Sequence, residues 1–445
     1  ALPIFRLILN IYRKRKEKNM RTSIEFSDNI LTVETFEDLG NAIDDLDVGR
    51  LEFSEPIRKV IIKNINRNLE KYEVQDYLFS SQLKELEAVD IIDSGKGLCS
   101  DDGLVYTADF KYLVFCPIGR RGTVKIHEGT ERVYEYACYE CKLNHLIIPD
   151  SVKRIEQYAF HRNMFLECVD GGKGLESIDN MSFMNCINLK DFSFGPNLKR
   201  IGYSAFQNTQ LTRILLPEGL KHVGSQAFNT ANLKDNGEVS HITPDKMYDI
   251  HLPVSLKEIG RVAFCNAANI YTKKANLNAL NAVRAGIRSL GASLGHGCDF
   301  WKLHIDGLQP IVMPKEMDSI NVIARRVRLY AKGETTSPPE TYSESRLVTK
   351  YATALEHRKL YPGKDVDEFL SENIKKVFAF TLAEKDGERL MAEYIKSGMF
   401  TDEALQSLIE HIEKSNDFSD NASKYTALKA YALQAMKHSQ DIFEI

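Results

Sequence analysis

Thiols, glycine–lysine runs and histidines are where chemistry would start in this chain of 445 residues. Cys138-Tyr-Glu-Cys141 has the spacing of half a zinc site or of a dithiol pair, since two thiolates so close in sequence can share a metal or a disulfide. A zinc or redox-site reading would want a second CxxC or a spaced His pair, and the sequence has neither. His296-Gly-Cys298-Asp299 sketches a thiol nucleophile beside a base, but neighbours in sequence seldom reach catalytic geometry, and a loop before Phe300-Trp301 accounts for it. Gly171-Gly-Lys-Gly174 could meet a phosphate only if a helix opened directly after it; it reads as a loop. No GxxxxGK[ST], GxSxG or HExxH occurs, and no GxGxxG follows a strand. The eleven His residues are dispersed. The expectation is a chain without catalytic residues, metal or other cofactor, the alternative being an enzyme or effector activity hidden in 275–345.

What remains must be done by surface, and composition bounds that surface. Lys and Arg total 58 against 62 Asp and Glu, a formal charge of −4, which excludes a dedicated nucleic-acid coat. With 43% hydrophobic and 27% charged residues the chain is ordinary globular material. No apolar run approaches the ~20 residues of a membrane-spanning helix. Residues 1–20 place an apolar stretch before Arg13, Lys14, Arg15, Lys16 and Lys18, the reverse of a secretory signal. One reading of this 1–20 leader is an amphipathic anchor on anionic lipid; the reading adopted is that Met20 is the natural start and the residues preceding it are not native. Without a signal, the expected location is cytoplasmic, with the cell surface or secretion as the alternative.

The middle of the chain is periodic. A small residue followed by a bulky one recurs at Ala137-Cys138, Ala159-Phe160, Ser182-Phe183, Ala205-Phe206, Ala227-Phe228 and Ala263-Phe264, in nearly equal steps until the last, which is longer. That last step is one period plus an insertion, placed around Asp235–Lys246. Val133, Ile155, Ile178, Ile201, Val223 and Ile259 keep the same phase, as do Val124, Leu146, Val169, Phe192, Ile214 and Ile250. A unit of this size cannot bury its own apolar face, so units must stack at the ~4.8 Å strand spacing. Pro149, Pro196, Pro217 and Pro253, lacking an N–H, close the short extended segments.

The unit Leu211-Thr-Arg-Ile-Leu-Leu-Pro-Glu-Gly-Leu-Lys-His-Val-Gly-Ser-Gln-Ala-Phe228 resembles the BspA-like class of bacterial leucine-rich repeats. Ile147-Ile-Pro-Asp-Ser-Val152 and Leu252-Pro-Val-Ser-Leu256 fit the same pattern, and Ser100–Tyr106 through Leu113–Pro117 resembles the β-hairpin found between such repeats. The resemblance covers about 85–272 and departs at Gly171–Gly174, where Ile-Pro is missing. It implies a leucine-rich-repeat solenoid, a structural role for Cys141 and Cys186 as small buried groups, and protein binding or, alternatively, a surface adhesin or host-contact role.

Residues between ladder positions must face solvent or a partner. In the first segment these are Lys125, Ile147, Asp170, Ser193, Leu215 and His251, flanked by His145, Asp191, Arg213, Tyr248 and Asp249. In the second they are Lys153-Arg154, Lys199-Arg200, Lys221-His222 and Lys257, interrupted by Glu176-Ser177. These basic rungs would attract an acidic partner, or serve as a solvated face; without interleaved aromatics they do not suit single-stranded nucleic acid. The expected partner-binding residues are Ile147, Arg213, Leu215, Tyr248, His251, Lys153, Arg154, Lys199, Arg200 and Lys221, with Tyr248, Leu215 and Ile147 as anchors.

The fold class is α+β. After the leader, 21–122 forms an N-terminal cap with degenerate repeats and a hairpin, and 123–272 the leucine-rich repeats. Residues 273–332 form a mixed connector, with a helix at 277–290, two strands over 300–312 and a helix at 318–330 capped by Asp318. A polar linker, 333–342, leads to a helical region, 343–445. There, helices are expected at 366–384, at 388–396 ending at Gly398, after the cap Thr401, and at 422–437. Leu390–Leu405 loosely resembles degenerate ankyrin-like helical pairs but lacks the T-P-L-H signature.

Overall fold

The repeat period is realised as rungs in register. Val124 pairs with Leu146, Leu146 with Val169, and Val169 with Phe192, across β8 (Arg121–Lys125), β10 (Lys142–Ile147), β12 (Cys168–Asp170) and β14 (Asp191–Phe192). A second column runs through β9 (Arg132–Val133), β11 (Arg154–Ile155), β13 (Ser177–Ile178), β15 (Arg200–Ile201), β17 (His222–Val223) and β19 (Glu258–Ile259), pairing Val133, Ile155, Ile178, Ile201, Val223 and Ile259 in succession. All these pairs are parallel. The structure, a computed structural model, describes residues 24–93, 97–229, 248–264, 267–273, 300–315, 320–345, 347–383, 387–416 and 425–441. Residues 1–20, the 235–246 insertion, the helix expected at 277–290, the His296–Asp299 cluster and Asp318 lie outside them.

The Phe column forms the third side of each rung. Phe160–Phe183, Phe183–Phe206, Phe206–Phe228 and Phe228–Phe264 stack with ring centroids 5.0, 5.4, 5.3 and 5.8 Å apart. Backbone bonds hold this side as well: Phe160, Phe183 and Phe206 each donate their N–H to the residue before the next column residue, at 2.8 Å. Turning the bulky residue inward uses a left-handed residue per rung, at Tyr136, Tyr158, Met181, Ser204, Gln226 and Val262, with φ between 50° and 59°. Behind the Phe column, Cys141, Asn163 and Cys186 donate to buried carbonyls of the preceding rung: Cys116 O, Cys138 O and Phe160 O. That is the physical content of the structural Cys position.

Gly171–Gly174 is a place of close backbone approach. A Cβ at Gly171 would lie 2.0 Å from Ser193 O, at Gly172 2.2 Å from Pro149 O, and at Gly174 2.0 Å from Asp150 O. Glycine stands where the family pattern has Ile-Pro because adjacent rungs touch there.

Both ends are closed by other structure. At the N-terminus β1 (Glu25–Ser27), β2 (Ile30–Val33), β3 (Lys59–Asn64) and β4 (Ala88–Asp93) form one sheet in that order. Ile30 pairs with Lys59 and Lys59 with Ala88, so the step from strand to strand is longer here than in the stack. The extra length accommodates helices α1 (Phe36–Asp47) and α2 (Lys71–Leu78), which are absent from the sequence-based expectation. Thr35 starts α1 with a reciprocal capping box to Asp38. The expected hairpin is present as β5 (Leu98–Asp101), β6 (Leu104–Thr107) and β7 (Tyr112–Phe115), and β7 pairs in parallel with β9. Gln75 of α2 donates to Val114 O and Glu135 O, at 3.0 and 2.7 Å, tying cap to stack.

At the other end, β16 (Arg213–Leu215), β18 (Tyr248–His251), β20 (Ala267–Thr272), β21 (Phe300–Ile305) and β22 (Ile311–Pro314) make a sheet that is parallel except for β21–β22. Helix α3 (Ile320–Ala331) covers it with Ile323, Ala324 and Val327. The expected linker is anchored at its end: Thr341 is buried and donates to Val312 O, and Tyr342 enters the helical core. That core is built by α4 (Leu347–Leu360), α5 (Lys364–Glu372), α6 (Ile374–Leu382), α7 (Gly387–Lys396), α8 (Asp402–Asn416) and α9 (Thr426–Asp441). The helix expected over 366–384 is two, broken at Asn373, whose side-chain amide donates back to Phe369 O at 2.8 Å. Gly398 is left-handed at φ 67° and Thr401 accepts from Ala404 N–H, as expected. Among the described residues no helix is long and apolar enough to cross a membrane.

Candidate protein-interaction face

Stacking in register converts scattered residues into columns on one face. Ladder residues Val124, Leu146, Val169, Ile214, Ile250 and Ile270 point inward and are buried, so their neighbours on either side point out. One outward column reads Thr123, His145, Cys168 and Asp191 on β8–β14, then Arg213, Asp249, Asn269 and Lys302 on β16–β21. The other reads Lys125, Ile147 and Asp170, then Leu215, His251, Tyr271 and His304. In each of the two sheets, three rung spacings make a run about 14 Å long.

Its chemistry is mixed. Leu215 is 49% exposed. His251, Tyr271 and His304 stack ring on ring at 4.4 and 4.5 Å. Below them a polar relay runs from His304 Nε2 to Asn269 Oδ1, 3.0 Å, and from Asn269 Nδ2 to Asp249 Oδ1, 2.7 Å. Burial holds the His304 pKa below the usual imidazole value, so the ring is neutral near pH 7 and donates from Nε2. On the earlier rungs His145 Nε2 lies 2.9 Å from Asp170. Lys302 pairs with Glu356 of α4 at 2.6 Å, so the helical unit borders this face. The arrangement offers exposed apolar area, aromatic rings and both charges.

Of the expected residues, Ile147, Arg213, Leu215 and His251 lie on this face. Tyr248 does not: it is 1% exposed, and its hydroxyl donates to Phe228 O at 3.1 Å. It stands two positions before Ile250, so the period of two puts it inside with that residue. Tyr271 and His304 are members of the face that the sequence reading lacks; each directly follows an inward residue, Ile270 or Leu303, and that phase is the available signal. Lys153, Arg154, Lys199, Arg200 and Lys221 lie instead beside the Val133–Ile259 column and are exposed. Their charge is partly cancelled, Arg154 by Asp179 at 2.6 Å and Lys199 by Glu176 at 2.7 Å, while His222 meets Glu258 at 2.9 Å. The column is therefore a weaker lure for an acidic partner than its sequence implies. Among the described residues no group of three or more His, Cys, Asp or Glu could hold a metal. Of 275–345, residues 275–299 and 316–319 lie outside the described residues.

Residues 115–234 match the family described as BspA type leucine rich repeat region, in six copies. A comparison with curated proteins finds no match. Among solved structures the chain is similar to the pneumococcal vaccine antigen PcpA, at 14% identity and TM-score 0.34, over 58% of this chain and 61% of that one. It is similar to a T. pallidum leucine-rich repeat protein at 25% identity and TM-score 0.29, over 33% and 68%. A leucine-rich repeat protein from Bacteroides ovatus matches at 18% identity and TM-score 0.28, over 40% and 48%. The chain thus spans about three fifths of the pneumococcal antigen and about half of the Bacteroides protein.

Proposed function

Starting from a repeat region of the BspA leucine-rich type over 115–234, we propose that this chain is a non-catalytic scaffold that binds another protein on its outward strand face. Repeat proteins of this type generally serve protein interaction or adhesin-like roles. The observation that carries the reading is the register of Leu215, His251, Tyr271 and His304 on four neighbouring strands, which lines an exposed aliphatic group up with three stacked rings. A few anchors, with Tyr and Arg prominent among them, supply most of the energy at protein interfaces. Arg213, Asp249 and Lys302 beside them supply charge that sets orientation and partner choice. The helical unit, joined through Lys302–Glu356, extends the contact surface. The basic column of Lys153, Arg200 and Lys221 contributes solubility and long-range attraction.

Affinity capture from the native host tests this with three proteins: wild type, Leu215→Asp/His251→Asp, and Lys153→Glu/Lys221→Glu. Circular dichroism verifies that each is folded. The expected result is a reproducible partner that the first variant loses by at least tenfold and the second retains. A partner held equally by all three refutes the assigned face.

A further inference from the structure

The N-terminal end of the Phe column is made of cysteine. The bond that marks a column residue runs from its N–H to the carbonyl just before the next column residue, as from Phe160 to Ser182 O at 2.8 Å. Cys138 makes this bond to Ala159 O at 2.8 Å, and Cys116 makes it to Ala137 O at 2.6 Å. Cys116 and Cys138 therefore head the column on neighbouring rungs. Cys141 comes up beside them, its thiol donating to Cys116 O at 3.4 Å. Residues in register on adjacent rungs are about 4.8 Å apart at Cα, inside the ~4.4–6.8 Å that a disulfide spans.

We infer that Cys116 is a redox-modification site, which a small-molecule disulfide oxidises to a protein disulfide with Cys138 or Cys141, locking the capping hairpin to the first repeat. The step consumes two protein thiols and one small-molecule disulfide. It yields one protein disulfide and two small-molecule thiols, through attack by the Cys116 thiolate and exchange of the mixed disulfide. Cys116 is placed as the attacking group by position: it follows β7 at the end of the column, with Cys138 on the neighbouring rung and Cys141 bonded to its carbonyl, while burial raises Cys138 and Cys141. All three are at most 1% exposed, so reaction proceeds through opening of the hairpin end of the stack. Cys186, in the Cys141 position two rungs on, donates to Phe160 O at 3.1 Å and is an internal control.

The test incubates the full folded chain with oxidised glutathione, quenches with acid, denatures, alkylates and maps peptides by mass spectrometry. The expected product links the Cys116 peptide to the Cys138–Cys141 peptide, lighter by two hydrogens, reversible by dithiothreitol, with a raised thermal midpoint and Cys186 still alkylated. Cys116 recovered wholly alkylated overturns the inference, and so does linkage to Cys186 at an equal rate. In Cys116→Ala, Cys138 and Cys141 are expected to stay unlinked; equally fast linkage between them removes the role given to Cys116. Should that variant not fold, the wild-type map alone decides.

Discussion

Phe206→Ala removes the middle ring of the phenylalanine column. The ring is fully buried, stacked on Phe183 at 5.4 Å and Phe228 at 5.3 Å, and met edge-on by Phe192 at 4.9 Å and Phe194 at 5.4 Å. Truncating a core Phe costs about 3–5 kcal/mol. The rungs on either side are held apart by their own backbone bonds and cannot close the gap, which places the loss near the top, about 4–5 kcal/mol, roughly a thousandfold in the folding constant. The chain has one tryptophan, Trp301, and it is 1% exposed in the same core cluster. Its fluorescence during urea unfolding therefore reads the stack directly. Phe165→Ala, at a residue 50% exposed, should change stability by no more than about 0.5 kcal/mol. A cycle of Phe183→Leu with Phe206→Leu should show coupling of about 0.5–1.5 kcal/mol from the lost ring pair. A Phe206→Ala loss below about 1.5 kcal/mol, or strict additivity in the cycle, would show that these rings do not bear on one another.

Gly174→Ala should destabilise by about 1–3 kcal/mol, because its Cβ would meet Asp150 O at 2.0 Å; a gain in urea midpoint, as an unconstrained Gly→Ala gives, contradicts the contact. Tyr248→Phe should cost about 1 kcal/mol through its lost hydroxyl bond to Phe228 O, and an unchanged thermal midpoint would return Tyr248 to the surface. His357 is 4% exposed, and burial lowers its pKa from 6.5 to about 4. The folded state then binds fewer protons than the unfolded one, so stability is lost as pH falls from 6.5 towards 4, by about 2 kcal/mol at pH 5. His357→Gln should remove that part of the acid loss, measured from urea midpoints at pH 7 and 5; an equal acid loss in both proteins refutes it.

The repeat ladders are readable because three phases share one set of steps, and chance does not sustain that over six units. Each ladder residue sits in register with its equivalents, Val133 to Ile259 without a slip. The cap is harder to read, since its longer step occurs only twice and its strands are separated by helices whose apolar spacing competes with the strand pattern. Grouping Tyr248 with the residues that flank outward His251 puts it on the surface, whereas the two-residue alternation from Ile250 puts it inside. Tyr271 and His304 escape the sequence reading because the steps from Ile250 to Ile270 and on to Leu303 depart from the period. The basic column is legible as charge, whereas its neutralisation by Asp179 and Glu176 depends on neighbours a full rung away in sequence.

In-register stacking is tested most directly by cysteine cross-linking of Leu215→Cys/His251→Cys. These positions are partners across adjacent strands although well separated in sequence, and their Cα spacing of about 4.8 Å suits a disulfide. Mild oxidation of the folded protein should link them nearly completely, while Leu215→Cys/Tyr271→Cys, two rungs apart, should remain unlinked. No link in the first pair, or equal linking in both, would contradict the rung order from which the whole face is built.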